Sequence, residues 1–399
     1  MTVVRDAVQV EDFRFESGDR LPLTVAYEAH GDPADPTVLV CHALTGSAHV
    51  ATAPDETDSD WWDLPAAPDG QAGAWWDDLV GPGRAIDTDR YHVVCANVPG
   101  SCYGTTGPAS TDPETGEPYG PDFPPVTVGD WVESQRALLD ALGVDRLRAV
   151  VGGSVGGMNA LEWTRRYPDR VDRIAPVATG ARLDAQGLAL TALGRRAIVG
   201  DPDYRGGRYY GDGPGPDEGL AQARALAHVT YRSRSGMDRR LGRAPADGRP
   251  VGPFDADPAA AGATPLAVES YLQDRASTFV DRFDANAYCY LTRAMERYDL
   301  AADAPDDAAA LSAFDGAVLV VSVDSDQLFT TAQARHLTDA VDRAGATVAH
   351  ESIDSDRGHD AFLVETDAVG AALGPFLADG LDGGDADRRA PVHASLISG

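Results

Sequence analysis

The sequence has no lysine. All 33 basic residues of the 399 are arginine, against 63 aspartates and glutamates, and the net charge is −30. Such a surface repels the phosphates of nucleic acids and of anionic membranes, so we expect neither as a partner. An acidic composition alone would not explain the missing lysines. We interpret both features as adaptation to high salt, where a short Debye length screens the self-repulsion of the chain.

Cysteine and long apolar runs are also scarce. The four cysteines are scattered and form no CxxC pair, which argues against a disulfide framework and against a zinc site. No run of 18 or more apolar residues occurs, so we expect no membrane span. Residues 1–12 lack the basic and apolar regions of a signal peptide. The simplest expectation is a cytoplasmic protein without a bound metal or cofactor.

Short β-branched runs alternate with helical stretches, which is typical of an α/β fold. Their nearly continuous apolar character favours a mostly parallel sheet that helices cover on both faces. Helices are predicted over Gly129–Leu142 and Asn159–Tyr167. The clearest predicted strands are Thr37–Cys41, Tyr91–Ala96, Leu147–Val151, Arg173–Val177, Ala317–Val323 and Thr347–Ile353.

About 140 residues between the fourth and fifth of these strands carry no strong strand signal, and their pattern is helical. An insertion at this point would lie over the C-terminal ends of the strands, where α/β sheets bind ligands. We therefore predict a core formed by residues 1–180 and 312–378, and a helical lid formed by residues 181–311. The acidic tail at 379–399 has little to bury and is predicted to be disordered.

The third predicted strand leads into Gly152-Gly153-Ser154-Val155-Gly156 and then into a helix. G-x-S-x-G in this context is similar to the nucleophile elbow of the α/β-hydrolase fold, in which a sharp turn exposes the serine hydroxyl. The glycines are needed because strand and helix backbones nearly touch there. A phosphate-binding turn is the alternative, but neither GK[ST] nor G-x-G-x-x-G spacing is present. Ser154 is therefore the predicted nucleophile.

A serine hydroxyl needs a base to remove its proton, and in this fold the histidine follows the last strand. Of nine histidines, His359 lies in the loop after the last predicted strand. His336 falls on a predicted helix and His350 within the last strand. His42 and His49 precede the nucleophile and suit a loop that contacts substrate. His359 is therefore the predicted base.

The acid should follow the fifth predicted strand, and two aspartates do so. Asp324 and Asp326 lie two residues apart, so an extended chain would point both the same way. Position alone favours neither.

Catalysis also needs N–H donors for the oxyanion of a tetrahedral intermediate. One is predicted to be the backbone N–H of Val155, next after the nucleophile. The other is predicted to be the N–H of Leu44, in the loop after the first predicted strand, although an ordinary turn is the alternative there.

With these residues in view, the chain resembles the homoserine O-acetyltransferase family over about residues 13–377. The resemblance implies that Asp326, the aspartate of the family's S-D-x-L-F block, is the acid rather than Asp324. The chain departs from the family at Val155, where many members have methionine, and at Thr330, where proline is common. The blocks that carry the resemblance are HALTGSAH (His42–His49), NVPGSCYGTTGPAS (Asn97–Ser110), GGSVGGMNALEW (Gly152–Trp163), GLAQARALAHVTYRS (Gly219–Ser233), SDQLF (Ser325–Phe329) and GHDAFLVE (Gly358–Glu365).

The resemblance also implies substrates and substrate-binding residues. Arg224 would bind the carboxylate of L-homoserine, Asp360 its ammonium group, and Tyr231 would line the same pocket. Leu328 stands where succinyl-transferring relatives have arginine, which implies acetyl-CoA as donor. The implied reaction is ping-pong acetyl transfer through acetyl-Ser154, by a homodimer. The structural alternatives are a lid salt bridge for Arg224 and a loop cap for Asp360.

Other functions stay open on the same residues. A serine esterase or deacetylase would use the same triad, and so would an acyltransferase acting on serine or another hydroxylated amine. A binding protein that kept the fold without catalysis is a further alternative. The complete set of Ser154, Asp326 and His359 argues against it.

Overall fold

The computed structural model describes residues 3–52, 74–246 and 264–381. A central sheet and a small two-stranded ribbon, β4 with β5, contain all the strands named below. The strands are β1 (Val3–Arg14), β2 (Arg20–His30), β3 (Thr37–Cys41), β4 (Val80–Gly81), β5 (Ile86–Asp87), β6 (His92–Ala96), β7 (Leu147–Gly153), β8 (Arg173–Val177), β9 (Ala317–Val323) and β10 (Thr347–Ile353).

The central sheet has eight strands in the order β1-β2-β6-β3-β7-β8-β9-β10. The pairs β1–β2 and β2–β6 are antiparallel, and the remaining pairs are parallel. All six predicted strands are present, four with the predicted bounds, while β6 starts one residue later and β7 runs on to Gly153. Strands β1 and β2 were not predicted. As an edge strand, β1 is largely exposed along its length, so it lacks the continuous apolar run that marked the others.

The helices lie on both faces of the sheet and in the segment between β8 and β9. The two predicted helices correspond to α1 and α2, and α2 starts four residues earlier than predicted, directly after Ser154. The helices are α1 (Val128–Ala141), α2 (Val155–Arg166), α3 (Ala185–Gly200), α4 (Asp217–Tyr231), α5 (Arg234–Arg240), α6 (Ala267–Val280), α7 (Ala285–Arg297), α8 (Asp307–Leu311), α9 (Thr331–Ala344), α10 (Ala361–Val364) and α11 (Thr366–Asp379).

The sheet is buried on both faces. Neighbouring residues of one strand pack into different hydrophobic clusters: Val150 of β7 lies in the cluster with Trp163, and Val151 in the cluster with Trp76 and Phe362. This explains why the parallel strands read as continuous apolar runs. Among the described residues no single helix is long and apolar enough to cross a membrane, and only the bent pair Gly358–Val364 and Thr366–Asp379 meets both requirements together.

The insertion between β8 and β9 is helical in its described part, and we call α3 to α7 the lid helices. Its two ends meet where Arg182 forms an isolated bridge and a 2.8 Å ion pair with Asp299. The end of α4 packs on the loop after β10, since a Cβ on Gly358 would lie 2.5 Å from the Ser233 nitrogen. The domain boundaries at 181 and 311 stay a prediction, and the tail from residue 382 lies outside the described residues.

Candidate active site

The turn between β7 and α2 holds Ser154 in a conformation that side chains rarely adopt. Its φ is 60° and its ψ −125°, and its backbone N–H donates to the Val177 carbonyl over 2.9 Å. A Cβ on Gly152 would lie 2.2 Å from the Gly156 carbonyl oxygen, and one on Gly156 would lie 2.2 Å from that of Cys41. The close backbone approach that we inferred from the glycines is therefore present. A strained turn of this kind projects the hydroxyl from the end of the strand.

Ser154, His359 and Asp326 form one hydrogen-bonded chain. Ser154 Oγ lies 2.9 Å from His359 Nε2, and His359 Nδ1 lies 2.7 Å from Asp326 Oδ2. All three side chains are buried, with at most 5% of each residue exposed. An ionised carboxylate only accepts hydrogen bonds, so Nδ1 carries the proton and Nε2 is free to accept the serine proton. This is the geometry in which a serine can be activated for attack on a carbonyl.

The structure distinguishes the two candidate acids that sequence position left equal. Asp326 Oδ1 accepts the backbone N–H groups of Leu328 at 2.8 Å and Phe329 at 3.0 Å, which leaves Oδ2 for the histidine. Asp324 instead accepts the N–H of Ser355 at 3.0 Å and so fastens the loop that follows β10. The choice of Asp326, which the family resemblance implied, agrees with this geometry.

The surroundings of His359 tune its basicity. Burial would lower the pKa of His359, but the charge and hydrogen bond of Asp326, with a contribution from Asp360, raise that pKa above its ordinary value. Three aromatic rings pack around the imidazole and restrict its rotation. Their centroids lie 5.7 Å (Tyr231), 5.6 Å (Phe329) and 5.3 Å (Phe362) from that of the imidazole.

The remaining candidate histidines have other partners. His336 Nε2 contacts Asp307 at 2.9 Å and His350 Nε2 contacts the Ser322 hydroxyl at 2.8 Å, both away from the nucleophile. His42 lies in the loop after β3, where its Nδ1 donates to the Ala43 carbonyl over 2.8 Å.

His49, which we expected to suit a substrate loop, contacts Glu28 of β2 instead, at 2.9 Å. Glu28 also contacts His30 and is fully buried. Burial would raise the pKa of Glu28, but the hydrogen bonds from both histidines lower it to about 2. Sequence reasoning missed this cluster because Glu28 and His30 come from β2, a strand that was not predicted.

The two predicted oxyanion donors occupy suitable turns. Val155 is the first residue of α2, and Leu44 follows β3 in a turn closed by the 2.9 Å bond from the Gly46 N–H to the Ala43 carbonyl. Neither the Leu44 nor the Val155 amide has a backbone acceptor in the described part of the chain. Arg282, which the sequence did not single out, supports this loop by donating to the Thr45 carbonyl over 3.2 Å. Both amides stay predictions as oxyanion donors.

Arg224 of α4 has an unusual environment for a guanidinium. Its Cζ lies 4.5 Å from the ring centroid of Phe279 and 5.7 Å from that of Tyr231. Its Nε is buried without a hydrogen-bond partner among the described residues, and burial lowers the pKa of Arg224. No ion pair to Arg224 occurs within the described ranges, so the lid salt bridge is not what holds it. The Tyr231 ring also packs near His359, so Arg224 and the candidate base are both neighbours of this one ring.

Asp360 lies next to the base in sequence and faces Arg232, whose Nε is 3.5 Å from Asp360 Oδ2. Burial raises the pKa of Asp360, and Arg232, His359 and Arg224 oppose that rise. The side chain makes no capping hydrogen bond to α10, which argues against the loop-cap alternative. Arg232 is a neighbour that the sequence did not indicate.

Leu328 is buried beside the acid, within the hydrophobic cluster that includes Phe329. Its backbone N–H donates to Asp326, and its apolar side chain offers no donor to a charged acyl group. Its effect on donor choice stays a prediction.

These groups suit acyl transfer: a candidate nucleophile, a candidate base with its acid, two amides without a backbone acceptor in the described part of the chain, and a cation and an anion nearby. Within residues 3–52, 74–246 and 264–381, no group of three or more His, Cys, Asp or Glu side chains could hold a metal ion.

A family model described as the alpha/beta hydrolase fold matches residues 36–366, so fold and site define a member of that class. A homoserine O-acetyltransferase from Haloarcula marismortui is 56% identical over the whole of both chains. The crystal structure of homoserine O-acetyltransferase from Bacillus anthracis has a TM-score of 0.81 and 26% identity, covering 94% of this chain and 98% of that one. Esterase E22 has a TM-score of 0.80 and 27% identity, covering 94% and 100%. The chain belongs to the homoserine O-acetyltransferase family, and the predicted fold class and family are confirmed.

Proposed function

We propose that the chain is a homoserine O-acetyltransferase that carries the acetyl group on Ser154. The observation that carries this proposal is the hydrogen-bonded chain Ser154–His359–Asp326 near Arg224, whose buried Nε lacks a hydrogen-bond partner among the described residues. The first feature supports transfer through a covalent acyl-serine. The second supports an acceptor that carries a carboxylate.

In the first half-reaction, Ser154 Oγ attacks the thioester carbonyl of acetyl-CoA while its proton passes to His359 Nε2. The oxyanion that forms would be bound by the N–H groups of Leu44 and Val155. Asp326 keeps Nδ1 protonated and stabilises the imidazolium. The carbon–sulfur bond then breaks, and the leaving sulfur takes the proton from Nε2. Acetyl-Ser154, free CoA and a neutral imidazole result.

In the second half-reaction, the γ-hydroxyl of L-homoserine attacks the acetyl carbonyl and gives its proton to His359. The bond between the acetyl carbon and Ser154 Oγ breaks, and Oγ takes that proton back. The products are O-acetylhomoserine and the starting enzyme. Because the same nitrogen accepts and returns a proton in each half, a base with a raised pKa serves both steps.

We propose that Arg224 and Asp360 orient the acceptor. Placing a carboxylate against the partnerless Nε of Arg224 would satisfy a buried donor, which otherwise costs about 1–3 kcal/mol. Asp360 would receive the ammonium group at the expense of its 3.5 Å contact with Arg232. The packing of the lid helices on the loop of His359 supports exclusion of water, which would otherwise hydrolyse the acyl-serine.

The second candidate is an esterase, because the structure of esterase E22 is as similar to this chain as that of an acetyltransferase. Hydrolysis uses water as the acceptor and has no need of Arg224. An Arg224→Gln variant therefore separates the two. We expect a transferase to lose at least tenfold in kcat/KM for homoserine while CoA release in the first half-reaction persists. An esterase would hydrolyse acetyl esters equally well with and without the substitution.

The test of the main proposal is acetylation without acceptor. Mixing the enzyme with acetyl-CoA should release one equivalent of CoA and add one acetyl group to the peptide that contains Ser154. Homoserine should then restore steady release. Ser154→Ala should abolish both label and turnover. Steady CoA release without homoserine, or acetyl on another residue, would contradict the proposal.

We also propose a cytoplasmic homodimer. All four cysteines are unpaired, which supports a reducing compartment. Apolar side chains of α3 are exposed on one helix, Leu188 at 38%, Leu193 at 54% and Val199 at 58%, which supports a contact between copies of the chain. Light scattering in molar salt should show a dimer, and Leu193→Asp should shift it toward the monomer. A monomeric wild type would contradict this.

A further inference from the structure

A cavity lies beside the loop that follows β10 and carries His359. Its volume is about 340 Å³, and it is bounded by α5, by Tyr271 of α6 and by residues that immediately precede His359. It is lined by Arg232, Gly236, Met237, Arg239, Arg240, Leu241, Tyr271, Asp356 and Arg357. The substrate-binding residues Arg224 and Asp360 do not line it, so it is distinct from the acceptor site described above.

The charge of this cavity is opposite to that of the chain. Four arginines and one aspartate line it, although the whole chain carries −30. In a protein with about two acidic residues for each basic one, four guanidinium groups around one cavity are a local reversal of charge. Arginine binds phosphate through paired, fork-shaped N–H donors, and it does so more specifically than a point charge. An anionic ligand rich in phosphate oxygens is the class that such a lining suits.

Three of the four arginines pair with a carboxylate, and one of these pairs is Arg232 with Asp360 at 3.5 Å. Arg239 contacts Asp356 at 2.5 Å, and Arg357 contacts Glu365 at 3.5 Å. Arg240 has its Cζ 5.7 Å from the ring centroid of Tyr271. Within the described ranges no carboxylate lies within salt-bridge distance of Arg240. Arg240 is therefore a cation in the cavity wall without a carboxylate partner in the described part of the chain.

The cavity is joined to the active site through Arg232. Arg232 lines the cavity and also lies 3.5 Å from Asp360, which directly follows the base. The walls are further connected because the Ser233 hydroxyl donates to the Asp356 carbonyl and Gly236 packs against that same carbonyl. A ligand in this cavity therefore lies next to the segment that carries His359.

We propose that this cavity binds the phosphate groups of the coenzyme A part of the acyl donor. The inference rests on the proposed function, because it takes acetyl-CoA as the molecule whose thioester reaches Ser154. In that molecule the phosphates are at the far end of a flexible pantetheine arm from the thioester. A donor seated on Ser154 must place them outside the acyl site, and this cavity combines the required charge with a position beside that site.

The test compares three acetyl donors with homoserine as acceptor, at one fixed salt concentration. Acetyl-CoA carries all the phosphates, acetyl-dephospho-CoA lacks the 3′-phosphate, and S-acetylpantetheine lacks every phosphate. Variants Arg239→Gln and Arg240→Gln each remove one cation from the cavity. The matched control is Arg343→Gln, because Arg343 is an exposed arginine that pairs with an aspartate, Asp306, at 3.2 Å, outside the cavity.

We expect the ratio of kcat/KM for acetyl-CoA to kcat/KM for S-acetylpantetheine to fall about tenfold in each cavity variant, as for the loss of one charge-assisted contact. This ratio is independent of how much enzyme is folded. In Arg343→Gln it should match wild type. Acetyl-dephospho-CoA should show which arginine binds the 3′-phosphate. Replacing that arginine should lower the ratio of kcat/KM for acetyl-CoA to kcat/KM for acetyl-dephospho-CoA.

An unchanged ratio in both cavity variants would overturn the inference while leaving acetyl transfer intact. A wild type that does not acetylate homoserine with acetyl-CoA would instead overturn the proposed function itself. A fall in the ratio for Arg343→Gln equal to that of the cavity variants would also refute the inference, because it would mean that general charge and not the cavity attracts the donor.

Discussion

Replacing Asp326 with asparagine should keep the shape of the active site and stop the proton transfer. Asp326 Oδ1 accepts two backbone N–H groups, from Leu328 at 2.8 Å and Phe329 at 3.0 Å. An asparagine can keep both bonds only if its oxygen takes the place of Oδ1. Turning the NH₂ group toward them would leave two buried donors unsatisfied, at about 1–3 kcal/mol each.

The asparagine NH₂ group must therefore face His359 Nδ1, where the carboxylate oxygen stood 2.7 Å away. A donor at that place forces Nδ1 to be the acceptor, so the proton moves to Nε2. Nε2 then points an N–H at Ser154 and cannot accept the serine proton. The same change in serine proteases costs about 10⁴ in rate, close to 5.5 kcal/mol of transition-state stabilisation.

The assay is CoA release from acetyl-CoA with and without homoserine, alongside a thermal melt that shows the variant is folded. Asp324→Asn is the matched control, because an amide oxygen can still accept the Ser355 N–H that Asp324 accepts at 3.0 Å. We expect the control to lose less than about tenfold. Equal losses in the two variants, or an Asp326→Asn variant within tenfold of wild type, would refute the reasoning.

Three further outcomes are expected. The rate of CoA release in the first half-reaction should fall as pH drops through the pKa of His359, which lies above the ordinary 6.5, since only the neutral imidazole is a base. Asp360→Asn should move the midpoint of this pH profile to lower pH, because Asp360 helps to raise the pKa of His359. A midpoint that stays in place or moves to higher pH would contradict this. Acetyl-CoA should be preferred over succinyl-CoA by on the order of 10²–10³ in kcat/KM, because beside Leu328 a succinyl carboxylate would lose water without a partner. Leu328→Arg should narrow the preference, with a thermal melt to detect mere loss of packing, and a wild type that uses both donors equally would show the idea to be wrong. The melting temperature should rise from dilute buffer to molar KCl as salt screens the charge of −30, and a melting temperature independent of salt would remove the halophilic interpretation.

Much of the fold could be predicted from the sequence because the parallel strands are buried on both faces. That burial requires continuous apolar runs, so the six strands from β3 to β10 in the central sheet could be placed within two residues. The candidate nucleophile could also be predicted from the sequence. Only glycine tolerates the 2.2 Å approach at Gly152 and Gly156, and this sterically imposed pattern marks the serine between them.

Other parts were settled only in three dimensions. The edge strand β1 is largely exposed along its length, so it has no continuous apolar run. Its neighbour β2 alternates exposed and buried positions over its first residues, and its buried part includes Glu28 and His30, which interrupt an apolar run. Asp324 and Asp326 have equivalent positions along the chain, and what separates them is which carboxylate reaches an imidazole 33 residues later. Such a contact depends on how the ends of β9 and β10 lie side by side.

The same holds for the basic groups near the site. Nothing in the run Arg232 to Arg240 indicates that three of its arginines line one cavity with Arg357. They come together where a lid helix meets the loop after β10. By itself the sequence determined the fold class and indicated the candidate nucleophile and base, since local sterics and burial impose residue types at fixed spacing. Tertiary structure decided the partners of charged side chains, since electrostatic contacts between distant segments leave no periodic pattern along the chain.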